Sequence, residues 1–140
     1  MIIGDGPILN KLKNEYNNFV KLGWLHFYGS TYDENELANL IFHSDLCVSP
    51  GNIGLTAIHS LTYGTSVASH SNFRNQMPEV EIIKEGVNGF VFEENNIEDL
   101  AFKIDNFFNA KRKSKKVIRN KIVELYNPEN QLNIFKRILS

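Results

Sequence analysis

The sequence has very little cysteine, no long apolar run and almost no net charge. Cys47 is the single cysteine among 140 residues, so no disulfide can form within the chain. No apolar run approaches the roughly 20 residues that a membrane span requires, and we expect no signal peptide. The formal net charge of −1 draws the chain neither to nucleic acid nor to a membrane. These absences predict a cytoplasmic protein.

Metal-binding residues are not clustered anywhere in the sequence. No group of Cys, His, Asp or Glu has the spacing of metal ligands, because the acidic stretch at 93–99 is typical of a solvated loop before a helix. The basic run at 111–121 lacks the interleaved aromatic residues that single-stranded nucleic acid favours. We interpret it as the solvated face of a terminal helix whose buried side is Val117, Ile118 and Ile122. Contact with an anionic membrane surface is the alternative.

What the sequence does contain is an alternation of short apolar runs and helical patterns. Strands are predicted at 1–4, 24–29, 45–50, 65–70 and 89–93. Between them, apolar residues recur at helical spacing over 8–19 and 37–41, and Asp33 with Glu36 predicts an N-terminal cap for the second of these helices. From about residue 96 the pattern is wholly helical, and Pro128 opens the last helix.

This order predicts one α/β domain over residues 1–140. The core at 1–108 is expected to be a Rossmann-like parallel sheet with helices on both faces, followed by terminal helices at 109–140. The chain opens on an apolar strand with no preceding loop, which is unusual for a buried strand. We therefore expect a fragment of a longer protein.

The stretch SPGNIGLTAIHSLTYGTSV, residues 49–67, lies at a strand-to-helix junction, where parallel sheets bind ligands. Glycines at 51 and 54 allow an anion to approach the backbone N–H groups that open the predicted helix at 55–63. Thr56 adds a hydroxyl, and His59 lies one turn deeper, within reach of a sugar hydroxyl. The alternative is a plain turn whose glycines only shape the backbone.

Helical periodicity also divides the 55–63 segment into two faces. The predicted buried arc contains Leu55, Ala57, Ile58 and Leu61. The predicted polar arc contains Thr56, His59, Ser60 and Tyr63.

Five segments of the sequence together resemble a known family. In order they are IIGDGP, LHFYGS, DENELANLIFHSDLCVSP, GLTAIHSLTYGTSV and MPEVEIIKEGVNGFVF. They are similar to the carboxyl-terminal half of the retaining, nucleotide-sugar-dependent glycosyltransferases with two Rossmann domains, the GT-B type of group 1 (family 4-like). The resemblance covers residues 1 to about 108, and the terminal helices match the family's end.

The resemblance implies roles for particular residues. The donor diphosphate would lie against the loop Gly51, Asn52, Ile53, Gly54, Leu55 and Thr56. His59 stands where the family has the Glu that binds the ribose, and Gly51 stands where it has the Glu near the transferred sugar. The nucleobase side would be Gly29, Ser30 and Thr31. Gly4 and Gly6 would line the cleft. His70 is a further cleft candidate on its position alone, because it ends the predicted strand at 65–70 at the same sheet edge as the glycine turn.

The resemblance also implies partners. A UDP- or GDP-sugar would be the donor, a polysaccharide or glycan the acceptor, and neither a metal nor another cofactor would be needed. An N-terminal acceptor-binding domain is missing, so we expect weak donor binding and little turnover from the chain alone. The expected location is the cytoplasm, with the inner face of the membrane as the alternative. A non-catalytic nucleotide- or phosphate-binding module, a degenerate glycosyltransferase domain and a nucleotide-sugar epimerase are the rival functions.

Overall fold

Short parallel strands alternate with helices along the chain in the computed structural model, which describes residues 1–139. The chain divides into two compact units, Met1–Asn39 and Leu40–Ser140. A strand is present in each of the five predicted segments, with shorter bounds than the apolar patterns suggested. The pattern of apolar residues therefore predicts where the strands lie. Their lengths depend on how far each strand is hydrogen-bonded to its neighbour.

The first unit contains a two-stranded parallel sheet, in which β1 (Ile2–Ile3) pairs with β2 (Phe27–Gly29). The helix predicted over 8–19 is two helices, α1 (Leu9–Glu15) and α2 (Asn17–Lys21), so the prediction of one helix was wrong. The helical backbone is interrupted at Tyr16, where φ is −102° and ψ is 17°. Apolar spacing continues across that residue, and it therefore does not reveal the break.

The third helix begins as the sequence predicted. α3 (Glu34–Phe42) follows Asp33, whose Oδ1 accepts the Glu36 N–H at 2.8 Å. This bond satisfies one of the N–H groups that a helix start leaves without an intrahelical partner. The predicted N-terminal cap is confirmed.

The second unit contains a three-stranded parallel sheet in the order β3 (Leu46–Ser49), β4 (Ser66–His70), β5 (Gly89–Phe92). Ser49 pairs with Ser69 and His70 pairs with Phe92, so the carboxyl ends of the three strands lie at one edge. Every residue of β4 is buried, as expected of a central parallel strand.

Helices cover both faces of this sheet. Val67 of β4 packs with Ala57 and Leu61 of α4 (Thr56–Thr62), while the next residue, Ala68, belongs to a second apolar cluster on the opposite face. That second cluster contains Phe90 and Phe92, and Leu100, Ile104 and Phe107 of α5 (Ile97–Asn109) pack against it. The predicted fold class, Rossmann-like α/β with helices on both faces, is confirmed.

The predicted arcs of α4 are correct only in part. Ala57 and Leu61 are buried, but Leu55 is 67% exposed and Ser60 is 0% exposed. Leu55 lies in the turn before the helix begins, so it does not share the helical face. Ser60 lies three residues after Ala57 and therefore falls on the same side as Ala57 and Leu61.

The terminal segment forms α6 (Lys115–Tyr126) and α7 (Pro128–Leu139), the latter opening on Pro128 as predicted. Ile118 and Ile122 are buried as predicted, whereas Val117 is 42% exposed, so its predicted burial was wrong. Lys115 is also not on the solvated face, because its Nζ donates to Ser44 O at 2.7 Å and to Thr65 Oγ1 at 3.0 Å. Burial lowers the pKa of Lys115.

Candidate functional site

Three segments meet at the carboxyl edge of the three-stranded sheet. The loop at 50–55 follows β3, the segment at 71–76 follows β4, and Glu93 with Glu94 follows β5. Since parallel strands present their carboxyl ends at the same edge, these segments lie side by side. The loop that carries the predicted diphosphate site therefore has two neighbours that are distant from it in the sequence.

Gln76 ties the loop at 51–53 to the end of β4. Its Oε1 accepts the Ile53 N–H at 3.1 Å. Its Nε2 donates to Ser69 Oγ at 2.8 Å. The same Nε2 also lies within hydrogen-bond distance of two carbonyl oxygens, His70 O at 3.2 Å and Gly51 O at 3.4 Å. One amide side chain thus fixes both a donor and an acceptor of the loop.

Sequence reasoning missed Gln76. Its signal was limited to an amide residue shortly before Pro78, and nothing in that pattern names a partner 23 positions earlier. Ser69, also missed, supports the same connection, because its Oγ lies 3.0 Å from Ser49 O and 3.2 Å from Gly51 O.

The backbone N–H groups of the loop divide into bonded and free ones. The Thr56 N–H donates to Ile53 O at 3.2 Å and the Ala57 N–H donates to Gly54 O at 3.1 Å. Across residues 1–139, no protein acceptor bonds the N–H of Gly54 or of Leu55. Gly54 has φ +47°, a conformation that glycine adopts readily. Of the predicted diphosphate loop, Gly51 and Asn52 likewise have N–H groups that no protein acceptor bonds in the described residues, and the free N–H groups of Gly54 and Leu55 are the ones directly before α4.

The other predicted loop residues take different places. Ile53 is 3% exposed and its N–H is already bonded, so it anchors the loop. Gly51, Asn52 and Thr56 are exposed. A Cβ at Gly51 would meet nothing within 4 Å, so a side chain at this position has open space around it.

The two predicted histidines lie in different surroundings. His59 is exposed on α4, one turn after Thr56. His70 is 2% exposed; its Nδ1 accepts the Asn72 N–H at 3.3 Å, and its Nε2 lies 3.8 Å from Glu94 Oε1. His70 is thus held inside the sheet edge, facing Glu94.

Glu94 connects the 71–76 segment to the end of β5. Its carboxylate accepts Asn72 Nδ2 at 2.6 Å and Asn75 Nδ2 at 2.9 Å. The bonds from Asn75 and then Asn72 hold the pKa of Glu94 below its ordinary value, and the nearby His70 adds to this. The segment that carries Gln76 is itself fixed in this way.

Within the first unit, four of the predicted residues line one cavity of about 670 Å³: Gly4, Gly6, Ser30 and Thr31. Asp5 and Tyr32 also line it. The Gly4 N–H donates to Gly29 O at 2.8 Å, which joins the two strand ends. The structure thus brings the predicted cleft and nucleobase-side residues of this unit together.

Glu36 holds the turn that carries Thr31. Its carboxylate accepts hydrogen bonds from the Thr31 and Tyr28 hydroxyls. These bonds, that of Thr31 first, lower the pKa of Glu36, and the bond to Glu36 raises the pKa of Tyr28.

The sequence of this chain matches a known protein family over most of its length. The family described as Glycosyl transferases group 1 matches residues 1–123. The chain belongs to this family. No curated protein gives a significant match to the sequence of this chain.

Three solved structures resemble this group 1 chain in fold. The lipopolysaccharide outer core galactosyltransferase WaaB, in its apo form, aligns with a TM-score of 0.74 and 20% identity, covering 97% of this chain and 40% of WaaB. A sucrose-phosphate synthase from Thermosynechococcus elongatus has a TM-score of 0.73 and 22% identity, covering 98% and 37%. Alr3699/HepE from Anabaena, in complex with UDP, has a TM-score of 0.66 and 17% identity, covering 98% and 39%. The chain therefore spans about two fifths of these proteins and shares their fold.

Metal-ligand clusters and membrane-spanning helices are both absent from the described part of the chain. Within residues 1–139, no three His, Cys, Asp or Glu side chains are grouped so that they could hold a metal ion. Over the same residues, no helix has both the length and the apolar content to cross a membrane.

Proposed function

We propose that this chain is the donor-binding domain of a glycosyltransferase that moves a sugar from a nucleotide-diphosphate sugar to a polysaccharide or glycan acceptor, with retention at the anomeric carbon. The observation that carries the proposal is membership of group 1 over residues 1–123. The UDP in the HepE structure, which shares the fold, supports a nucleotide-diphosphate donor.

In this proposal the loop at 51–56 receives the diphosphate. The Gly54 and Leu55 N–H groups, which have no acceptor in the described chain, and the exposed Thr56 hydroxyl would donate to its oxygens. Donors already in place stabilise the negative charge that develops on a leaving diphosphate. His59 would bond a ribose hydroxyl through one ring nitrogen. No resident metal or cofactor takes part.

The cavity of the first unit has a proposed role of its own. Gly29, Ser30 and Thr31 would border the nucleobase, and Gly4 with Gly6 would line the cleft. This assignment rests on the resemblance of IIGDGP and LHFYGS to the family, together with the shared cavity.

The proposed partners go beyond the donor. We propose that a second domain supplies the acceptor, that the protein acts in the cytoplasm and that the chain by itself turns over little donor. Five basic residues of the 111–121 run are exposed, and no ion pair in residues 1–139 involves them: Lys111, Lys113, Lys116, Arg119 and Lys121. They are the residues that a contact with an anionic membrane surface would use.

A non-catalytic nucleotide-binding domain is the second candidate, and one observation favours it. Gly51 and His59 stand where the family has its two Glu residues, so neither carboxylate is present. A domain that keeps the donor loop but lacks both carboxylates fits a degenerate glycosyltransferase.

Calorimetric titration of the 140-residue chain with UDP, GDP and their sugar conjugates tests the proposal. We expect one diphosphate to be preferred, and His59→Ala to weaken its binding about fivefold, the loss of about one hydrogen bond. His26→Ala, an exposed histidine before β2, is the matched control and should bind as the wild type does. A chain that binds no nucleotide would contradict the proposal. Rapid sugar transfer by the chain alone would contradict the expected low turnover.

A further inference from the structure

We infer that Gln76 is the positioning residue of the donor loop, which it holds so that the free N–H groups of Gly54 and Leu55 face the diphosphate. This inference rests on the proposed function of that loop. The segment at 71–76, after β4, would then contribute to donor affinity although it lies outside the strand-to-helix motif at 49–67.

The geometry begins with Ile53. This residue is 3% exposed, and its N–H donates to Gln76 Oε1 at 3.1 Å. Because the side chain and the amide of Ile53 are both held, the backbone entering Gly54 has a defined direction. The free N–H groups follow immediately. Donors that are fixed before the ligand arrives bind it without an ordering cost.

The Nε2 group of the Gln76 amide holds the beginning of the donor loop, at Gly51. Gln76 Nε2 lies 2.8 Å from Ser69 Oγ, 3.2 Å from His70 O and 3.4 Å from Gly51 O. Gly51 and Ile53 are thereby attached to one side chain. Removing it would release the loop at two points.

Gln76 is able to do this because its own segment is fixed. Asn72 Oδ1 accepts the Arg74 N–H at 3.2 Å, and Asn72 and Asn75 both donate to Glu94. The loop is therefore connected through Gln76 to the ends of both β4 and β5.

The chemistry requires an amide. A glutamine side chain supplies an acceptor for the Ile53 N–H and donors for the surrounding oxygens at the same time. An ionised glutamate in its place accepts only, and it would direct a negative oxygen at the carbonyl groups of Gly51 and His70. A protonated glutamate regains one O–H donor. Gln76→Glu should therefore recover part of the function as the pH falls.

The experiment compares Gln76→Leu and Gln76→Glu with Asn88→Leu in the full chain. Asn88 is a matched amide clamp elsewhere in the second unit, since its Oδ1 accepts the Lys84 N–H at 2.6 Å and its Nδ2 donates to Ile82 O at 2.9 Å. Each variant is titrated with UDP and with GDP at a temperature where circular dichroism shows it to be folded. Amide hydrogen exchange at Ile53 is measured by NMR in parallel.

We expect Gln76→Leu to bind the preferred diphosphate at least tenfold more weakly and to exchange the Ile53 amide faster. Asn88→Leu should be less stable but should keep wild-type affinity and wild-type exchange at Ile53. The affinity of Gln76→Glu, taken as a ratio to wild type at each pH, should rise between pH 8 and pH 5. The ratio removes the titration of the nucleotide, which is the same for the variant and the wild type.

Three results would overturn the inference. If the wild type binds and folded Gln76→Leu binds equally well, Gln76 does not position the loop, while the proposed function stands. If Asn88→Leu loses as much affinity for the diphosphate as Gln76→Leu does, the weaker binding of Gln76→Leu results from lower stability and not from the position of the loop. If the wild type binds neither nucleotide, the proposed function fails and the positioning role fails with it.

Discussion

At the scale of single residues, Gly64 has no room for a side chain. Among the glycines outside the strands, it is the one where an added Cβ would come closest to another backbone atom. Its φ is +77°, and a Cβ there would lie 2.4 Å from Lys115 O at the start of α6. We expect Gly64→Ala to lower the free energy of unfolding by at least about 3 kcal/mol, since left-handed strain and backbone overlap add together. Urea denaturation measures this loss.

Gly86→Ala is the control for Gly64→Ala. Gly86 has φ +68°, but a Cβ there would meet nothing within 4 Å. It should lose only the strain of the left-handed conformation, about 1 kcal/mol. Equal losses at the two glycines would show that α6 does not pack closely against Gly64.

Glu94 gives stability a defined dependence on pH. Hydrogen bonds from Asn75 and Asn72 lower its pKa in the folded state. The stabilisation is therefore complete above the ordinary carboxyl pKa and is lost as the pH falls through the lower, folded-state value. We expect Glu94→Gln to destabilise the chain at pH 7, and the difference from wild type to shrink in acid.

Urea midpoints between pH 3 and pH 7 check the role of Glu94. Glu98→Gln, at an exposed glutamate in the first turn of α5, serves as the comparison. A difference between wild type and Glu94→Gln that stays constant over this range would contradict the hydrogen-bonded carboxylate.

At the scale of elements, the start of α5 depends on an N-terminal cap by Asn96 and on a second bond from the Glu93 N–H to Asp99. Asn96 Oδ1 accepts the Asp99 N–H at 2.9 Å, and Asp99 Oδ2 accepts the Glu93 N–H at 2.7 Å. We expect Asn96→Ala to cost about 1 kcal/mol of unfolding free energy, because the cap satisfies helix N–H groups. Asn109→Ala at the other end of α5 should cost less, and an equal cost would argue against the cap.

The elements themselves were well predicted from the sequence. The starts of α3 and α7 were marked by Asp33 and Pro128, and each predicted strand contains an observed one. The interruption at Tyr16 and the burial of Ser60 were not predicted. The apolar spacing runs unbroken across Tyr16, and Ser60 is a polar residue on the side of α4 that carries Ala57 and Leu61, so neither feature is visible in the pattern of apolar residues.

At the scale of the whole molecule, α6 completes the core of the second unit. Ile118 and Ile122 belong to the same apolar cluster as Ile53, Ala57 and Leu61. Ile122 is 2% exposed, so we expect Ile122→Ala to lower the unfolding free energy by about 2–5 kcal/mol. α6 is therefore part of the core of the second unit.

Val123→Ala is the matched control for Ile122→Ala. Val123 is the next residue on α6 and is 44% exposed, and its truncation should change stability by no more than about 0.5 kcal/mol. Thermal or urea unfolding distinguishes the two variants. Similar losses would mean that α6 packs on a different face.

The sequence by itself determined the order of strands and helices, the parallel α/β class and the loop that carries the proposed donor site. These features depend on local spacing, on caps and on glycine positions, which a linear pattern displays. The tertiary structure decided which N–H groups of that loop remain free, that Gln76 holds it, and that Lys115 turns inward. The physical reason is that each of these depends on partners far away in the chain, which meet only when the parallel strands bring their carboxyl ends to one edge and α6 packs against α4.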